Sequence, residues 1–259
     1  MFDSGFGGLT VARAVIDLLP SEDLVYMGDT GRYPYGPRDL DEVRGFAHEI
    51  ARHLLDDHDV KLLVVACNTA SAAALEELQS SMPVPVIGVI EPGADAVVHA
   101  TRAGRVGVIG TIGTIGSGAY QSAIAATGAE VELTCAACPG FVEFVERGET
   151  ESEQVHVLAE RLLAPVLDAE VDALLLGCTH YPFLARTISD VMGPDVVLVD
   201  SADATAFRVS ELLTERGLAR SSGVGVHRFE SSGDVEVFRT LGRELLGPEI
   251  DSVVAVDWD

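Results

Sequence analysis

The sequence predicts an α/β protein of two similar lobes. Each lobe is a mainly parallel sheet flanked by helices, with a candidate active site in the cleft between them. Three observations predict this. Short Val/Ile/Leu runs alternate with longer amphipathic stretches, the pattern of strand–helix repeats. Runs such as LLVVA (62–66) are apolar without a break, as strands covered on both faces require. One pair of local patterns also occurs in each half. A glycine turn follows Met1–Asp3 and another lies within Val106–Ser117. A cysteine follows an apolar run in Leu62–Ser71 and again in Ala173–Phe183.

The strands fall, in order, at Leu24–Met27, Leu62–Ala66, Val86–Val89, Val106–Ile109, Glu130–Thr134, Ala173–Leu176 and Val196–Val199. The helices fall at Leu9–Leu19, Leu40–Asp56, Ala70–Gln79, Gly118–Thr127, Phe141–Glu146, Glu153–Asp168, Leu184–Val191 and Ala202–Glu215. Sites in such folds lie beyond the carboxyl ends of the strands, where both cysteines stand.

Composition narrows the classes. The 259 residues carry a net charge of −24 and a single lysine, Lys61. This excess of acid argues against nucleic-acid or anionic-membrane partners, which need basic patches. Four cysteines are too few for a disulfide framework in a chain this long. No leader-like start and no apolar run of membrane-spanning length is present, so a cytoplasmic location is expected.

Cys67 follows a buried strand and precedes a helix, a setting that stabilises thiolates and binds anions; Asn68 and Thr69 add donors. Cys178 has the same setting, followed by Thr179 and by His180, a group able to set the thiol's protonation state. For both, burial as a small apolar residue is the competing reading. In DSGFGG, Asp3 either caps the turn or aims a carboxylate into the cleft. In GDTGRYPYG (28–36), Tyr33 and Tyr35 either wall a pocket or pack the loop. VGVIGTIGTIGSG (106–118), with Glu130 or Glu132 about 20 residues on, resembles a dinucleotide turn without its spacing; its alternative is Thr111, Thr114 and Ser117 presenting hydroxyls to a carboxylate. Cys135 and Cys138 form C-x-x-C, at a position compatible with a redox pair. His48, His53 and His58 read as a solvated helix end, and no metal is assigned.

Two thiols can form a disulfide, ligate a metal, or flank one carbon so that one removes a proton and the other returns one from the far face. The last inverts the carbon with no metal and no net redox change. A pyridoxal route needs a Schiff-base lysine, and Lys61 is remote in sequence from both cysteine motifs, so no cofactor is expected.

DSGFGGLTV, GDTGRYPYG, ACNTASA, the Gly110–Thr114 turn, ACPGFVEFVERG and GCTHYP occur in this order. Together they resemble the cofactor-independent aspartate/glutamate racemase family, on its glutamate branch, across essentially the whole chain. The resemblance implies that Cys67 deprotonates D-glutamate and Cys178 L-glutamate. Asp3 would assist Cys67, His180 would assist Cys178, and Glu146 would stand near the histidine. Substrate contacts would come from Asp3, Ser4, Tyr35, Gly36, Asn68, Thr69, Thr111, Thr114, Thr179 and His180. It further implies residues 1–92 with 202–259 as the first lobe and 93–201 as the second, a homodimer, and D-glutamate supply for peptidoglycan in the cytoplasm. Aspartate racemisation and a redox or dinucleotide-binding role are the alternatives. Members usually carry several strand residues before the Phe-Asp-Ser-Gly turn. Here Met1 precedes Phe2, so a nearly absent first strand and a fraying Asp3–Ser4 are expected, with lowered stability or activity.

Overall fold

A computed structural model of the chain describes residues 1–247 and 250–258. The elements run β1 (Phe2–Asp3), α1 (Leu9–Leu18), β2 (Leu24–Gly28), α2 (Leu40–His58), β3 (Leu63–Val65), α3 (Asn68–Ser81), β4 (Val86–Gly88), α4 (Ile90–Ala100), β5 (Arg105–Gly110), α5 (Ile112–Gly116), α6 (Ala119–Ala126), β6 (Glu132–Ala137), α7 (Phe141–Glu146), α8 (Glu153–Asp168), β7 (Ala173–Gly177), α9 (Ala185–Met192), β8 (Val197–Val199), α10 (Ala202–Glu215), β9 (His227–Ser231), α11 (Val235–Leu245) and β10 (Val253–Ala255).

The chain forms two compact units: Met1–Val89 with Ala202–Asp259, and Ile90–Ser201. The first passage between them lies at 89/90, three residues before the 92/93 break expected above, because α4 already begins at Ile90.

The first unit holds a sheet in the order β10-β9-β2-β1-β3-β4, every pairing parallel. Strand alternation sends Leu24, Tyr26 and Val64 to a core beneath α1, α10 and α11. Phe2, Met27, Leu63 and Val65 go to the opposite core beneath α2 and α3. The second unit holds a parallel sheet in the order β6-β5-β7-β8, with Ile109, Leu174 and Leu176 packed against α8 and α9.

β1 is only two residues long, yet it is paired on both sides rather than standing free. It sits between β2 and β3, pairing Phe2 with Met27 on one side and Val65 on the other. Phe2 and Asp3 are fully buried. Two-sided ladder bonds and burial hold the terminus where its length alone suggests disorder.

Several elements were not predicted. α4 carries Pro92 and Gly93, which read as breakers, but Pro92 lies in the first helical turn, where its missing N–H costs no intrahelical bond. β9 (HRFES) has one apolar residue and no strand pattern. β6 starts two residues later than predicted and runs to Ala137.

Candidate active site

In the first unit three adjacent strands end together. Asp3 closes β1, Gly28 closes β2, and Cys67 stands two residues beyond β3. The ladder continues past the ends: Asp29 N–H donates to Asp3 O at 3.0 Å and Ala66 N–H to Phe2 O at 2.8 Å. This brings Asp3 and Cys67 to one edge of the sheet. Cys67 is the N-cap of α3; its Sγ accepts from Ala70 N–H at 3.4 Å and lies 3.7 Å from Ser4 Oγ. The free N–H groups and dipole of the helix favour a thiolate there. Asn68 and Thr69 open the helix and are buried.

Asp3 Oδ2 accepts from Gly5 N–H at 3.0 Å, so the carboxylate holds the turn while standing at the strand edge. Gly8 permits α1 to start against it: a Cβ at Gly8 would lie 2.6 Å from Asp3 Cβ and 2.8 Å from the Tyr26 hydroxyl oxygen. The Tyr26 hydroxyl donates to Gly5 O at 2.9 Å. Burial raises its pKa well above normal, and the negative charges of Asp3 and Cys67 raise it further.

Tyr35 is buried, and its ring packs on Phe46 with centroids 5.5 Å apart. Its hydroxyl donates to Asp29, so the tyrosine packs the loop rather than walling a pocket with its hydroxyl. Gly36 follows it. Asp29, fully buried, also accepts from Arg32 Nε at 2.7 Å, Ser232 Oγ at 2.6 Å and Trp258 Nε1 at 2.9 Å. The sequence reading missed this hub, whose only signal was the GDT turn itself.

The second unit repeats the arrangement. β6, β5 and β7 end level, Gly110 pairing with Ala137 and Gly177. The residues that follow these strand ends are Cys138, Thr111 and Cys178. Thr111 Oγ1 caps α5 by accepting from Thr114 N–H at 3.1 Å, and the two threonine hydroxyls are 3.0 Å apart. Gly177 is sterically required, since a Cβ there would lie 2.7 Å from Ile109 O and 2.8 Å from the Tyr120 ring. Cys178, Thr179 and His180 are buried; His180 Nε2 lies 3.4 Å from Glu146 Oε1, at the end of α7. Burial, then the neighbouring Cys178 and Cys135, raise the Tyr120 pKa.

Two alternatives lose their footing. Glu132 opens β6 opposite Arg105, the first residue of β5, so it lies at the far end of the strands from the Gly110 turn. A dinucleotide site needs the acidic residue near the turn. Burial pushes the Cys135 thiol up to about 11; burial, with Cys178 nearby, pushes Cys138 up to about 12. A redox pair needs a low-pKa thiolate, and Cys138, one residue past β6, stands three residues before α7 rather than at its start.

The profile of the Asp/Glu/hydantoin racemase family matches residues 9–209. The chain belongs to this family. A glutamate racemase of Acidothermus cellulolyticus is 51% identical over 258 residues, covering 99% of this chain and 97% of the relative. The RacE1 isoform of glutamate racemase from Bacillus anthracis superposes with a TM-score of 0.94 at 41% identity, over 99% of this chain and 96% of that one. A glutamate racemase from Francisella tularensis, solved with D-glutamate, superposes at 0.92 with 34% identity, covering 100% and 96%. Within the family the chain therefore stands on the glutamate racemase branch. No helix among the described residues is long and apolar enough to cross a membrane.

Proposed function

We propose that this protein interconverts L- and D-glutamate by cofactor-independent proton transfer at Cα. The observation that carries the reading is the duplicated setting of Cys67 and Cys178, each buried just past the carboxyl end of a parallel strand and followed at once by hydroxyl or amide donors. One thiolate takes the Cα proton, the carbanion's charge moves into the α-carboxylate, and the opposite thiol delivers a proton to the other face. The mechanism requires the two strand ends to flank one substrate carbon.

Cys67 acts on D-glutamate, with Asp3 assisting, and Cys178 acts on L-glutamate, with His180 assisting. Glu146, 3.4 Å from His180 Nε2, orients that histidine. Ser4, Asn68, Thr69, Thr111, Thr114 and Thr179 supply donors for the carboxylates and the amino group's surroundings, where charge develops. Tyr35 and Gly36 contribute through their backbone, because the tyrosine hydroxyl is given to Asp29. Lys61 lies at the opposite end of β3 from Cys67, bonded to Leu218 O and Glu22, each at 2.6 Å, so it is badly placed to carry a Schiff base. A cytoplasmic homodimer supplying D-glutamate for peptidoglycan completes the proposal.

The test is L-glutamate in deuterated water without pyridoxal phosphate. Wild type should form D-glutamate carrying solvent deuterium at Cα. Cys67→Ser and Cys178→Ser should each lose racemisation by at least about a hundredfold, the scale of a lost acid/base group. Racemisation surviving in either variant would refute the two-thiol mechanism, and faster turnover of aspartate than of glutamate would overturn the substrate.

A further inference from the structure

His53 and His58 do not form a solvated helix end. Both rings turn inward from the last turns of α2 onto Glu230 of β9, which is buried. His53 Nε2 lies 2.8 Å from Glu230 Oε2, and His58 Nε2 lies 2.8 Å from Glu230 Oε1. One donor atom from each residue can be chosen so that all three lie within 4.8 Å of one another.

Proton counting makes this cluster unusual. His53 Nδ1 lies 2.8 Å from Asp57 Oδ2 while Nε2 lies 2.8 Å from Glu230. A neutral imidazole has one N–H, so one of its nitrogens would set a lone pair against a carboxylate oxygen. Carboxylate oxygens thus stand against both ring nitrogens of His53. His58 Nε2 is buried and, despite its 2.8 Å approach, is not aligned to donate to Glu230. A buried imidazole nitrogen beside a carboxylate oxygen, with no hydrogen bond between them, is a pair that a shared cation would satisfy.

We propose that His53, His58 and Glu230 form a site for a divalent first-row transition ion, of which Zn2+ is the best match, independent of the racemase chemistry. Two imidazole nitrogens and one carboxylate oxygen are the donor types such ions take. With bonds of about 2.0–2.2 Å, neighbouring ligand atoms of a tetrahedral site stand roughly 3.4 Å apart, a spacing that the three donor atoms, all within 4.8 Å of one another, reach by small side-chain shifts. Asp57 on His53 Nδ1 is the outer carboxylate that fixes the tautomer of a metal-bound histidine. The Trp258 indole, edge-on to His53 with centroids 5.7 Å apart, covers one flank. The ion would pin the end of α2 to β9. Through Trp258, which also bonds Asp29, it would brace the loop that carries Tyr35.

The test is titration of chelator-treated protein with Co2+, read by absorption, with Zn2+ read by thermal shift. We expect one Co2+ per chain with visible d–d bands and no thiolate-to-cobalt charge-transfer band. Zn2+ at a hundredfold excess over Kd should raise Tm by roughly 5–10 °C. His58→Gln and Glu230→Gln should abolish both signals, and Asp57→Asn, at an exposed position, should weaken binding about tenfold. If Glu230→Gln does not fold, His58→Gln at the helix end decides. Binding that survives His58→Gln, a thiolate band showing the ion on the cysteines, or no stoichiometric binding would each overturn the site and leave a proton-balanced ion network. None of these readouts depends on turnover, so the site can fail while the racemase reading stands.

Discussion

At the scale of single residues, Asp29 carries more of the site than its place in a turn suggests. Its carboxylate, fully buried, gathers a hydroxyl from Tyr35, a guanidinium from Arg32, a hydroxyl from Ser232 and an indole N–H from Trp258. Arg32 in turn pairs with Glu49 and lies 4.2 Å from the Phe46 ring centroid and 4.6 Å from that of Trp258. Removing the charge takes one of the two carboxylate partners of Arg32 and leaves it with Glu49. Asp29→Asn should therefore cost about 2 kcal/mol, the scale of hydrogen bonds lost to a charged group. It should appear as a lower denaturant midpoint with an unchanged slope. Tyr35→Phe removes one bond to a charged acceptor and should cost about 2 kcal/mol. Equal stability of Asp29→Asn and wild type would mean that the four donors find other partners and that the hub is incidental.

At the scale of elements, the turn between α4 and β5 hangs on one side chain. Asp172, just before β7, accepts from Thr101 Oγ1, from Arg102 N–H at 2.7 Å and from Ala103 N–H at 2.8 Å. Its slight burial would raise the carboxyl pKa, but these bonds, with one from the Arg105 backbone, outweigh it and hold the value down to about 2. A depressed carboxyl pKa contributes stability above the unfolded value near 4, and that contribution is lost as pH falls through the folded value near 2. Wild type should thus lose Tm relative to Asp172→Asn between about pH 4 and pH 2. At pH 7 the variant should melt a few degrees lower, at roughly 2–4 °C per kcal/mol. Parallel melting curves of the two proteins across that window would remove Asp172 from the account. Such long-range ties explain which elements were legible. β3, β5 and β7 are covered on both faces, so their residues must be apolar and the pattern shows locally. Cys67 and Cys178 were legible for the same reason, since each interrupts such a run at its end. β9 holds its place by pairing with β2 and by aiming Glu230 at α2, a reason that resides in partners 177 and 172 residues away. Asp29 was hidden likewise, because Ser232 and Trp258 reach it from the far end of the chain.

At the scale of the whole molecule, charge is the dominant global property. There are 41 acidic and 17 Lys or Arg side chains, so even complete pairing leaves 24 carboxylates uncompensated. Two effects of salt then oppose each other. Screening weakens the surface pairs, such as Arg13–Asp17 and Arg239–Glu236, but each exposed pair is worth at most about 1 kcal/mol. Screening also relieves the mutual repulsion of the unpaired carboxylates, which acts over the Debye length of about 30 Å at 0.01 M and about 8 Å at 0.15 M. Because the 24 unpaired acids outnumber the 17 Lys and Arg side chains, the second effect should win. Raising salt from 0.01 to 0.15 M is expected to raise Tm, and to raise kcat/KM for glutamate by reducing repulsion of an anionic substrate. The kcat should change less than KM, since the field acts on encounter rather than on proton transfer within the bound complex. The check is Tm and the two kinetic constants measured across that range in sodium chloride. A falling Tm would mean that specific surface pairs outweigh the excess charge. A rising Tm with a flat KM would mean that the donors at the strand ends already shield the substrate from the molecule's field.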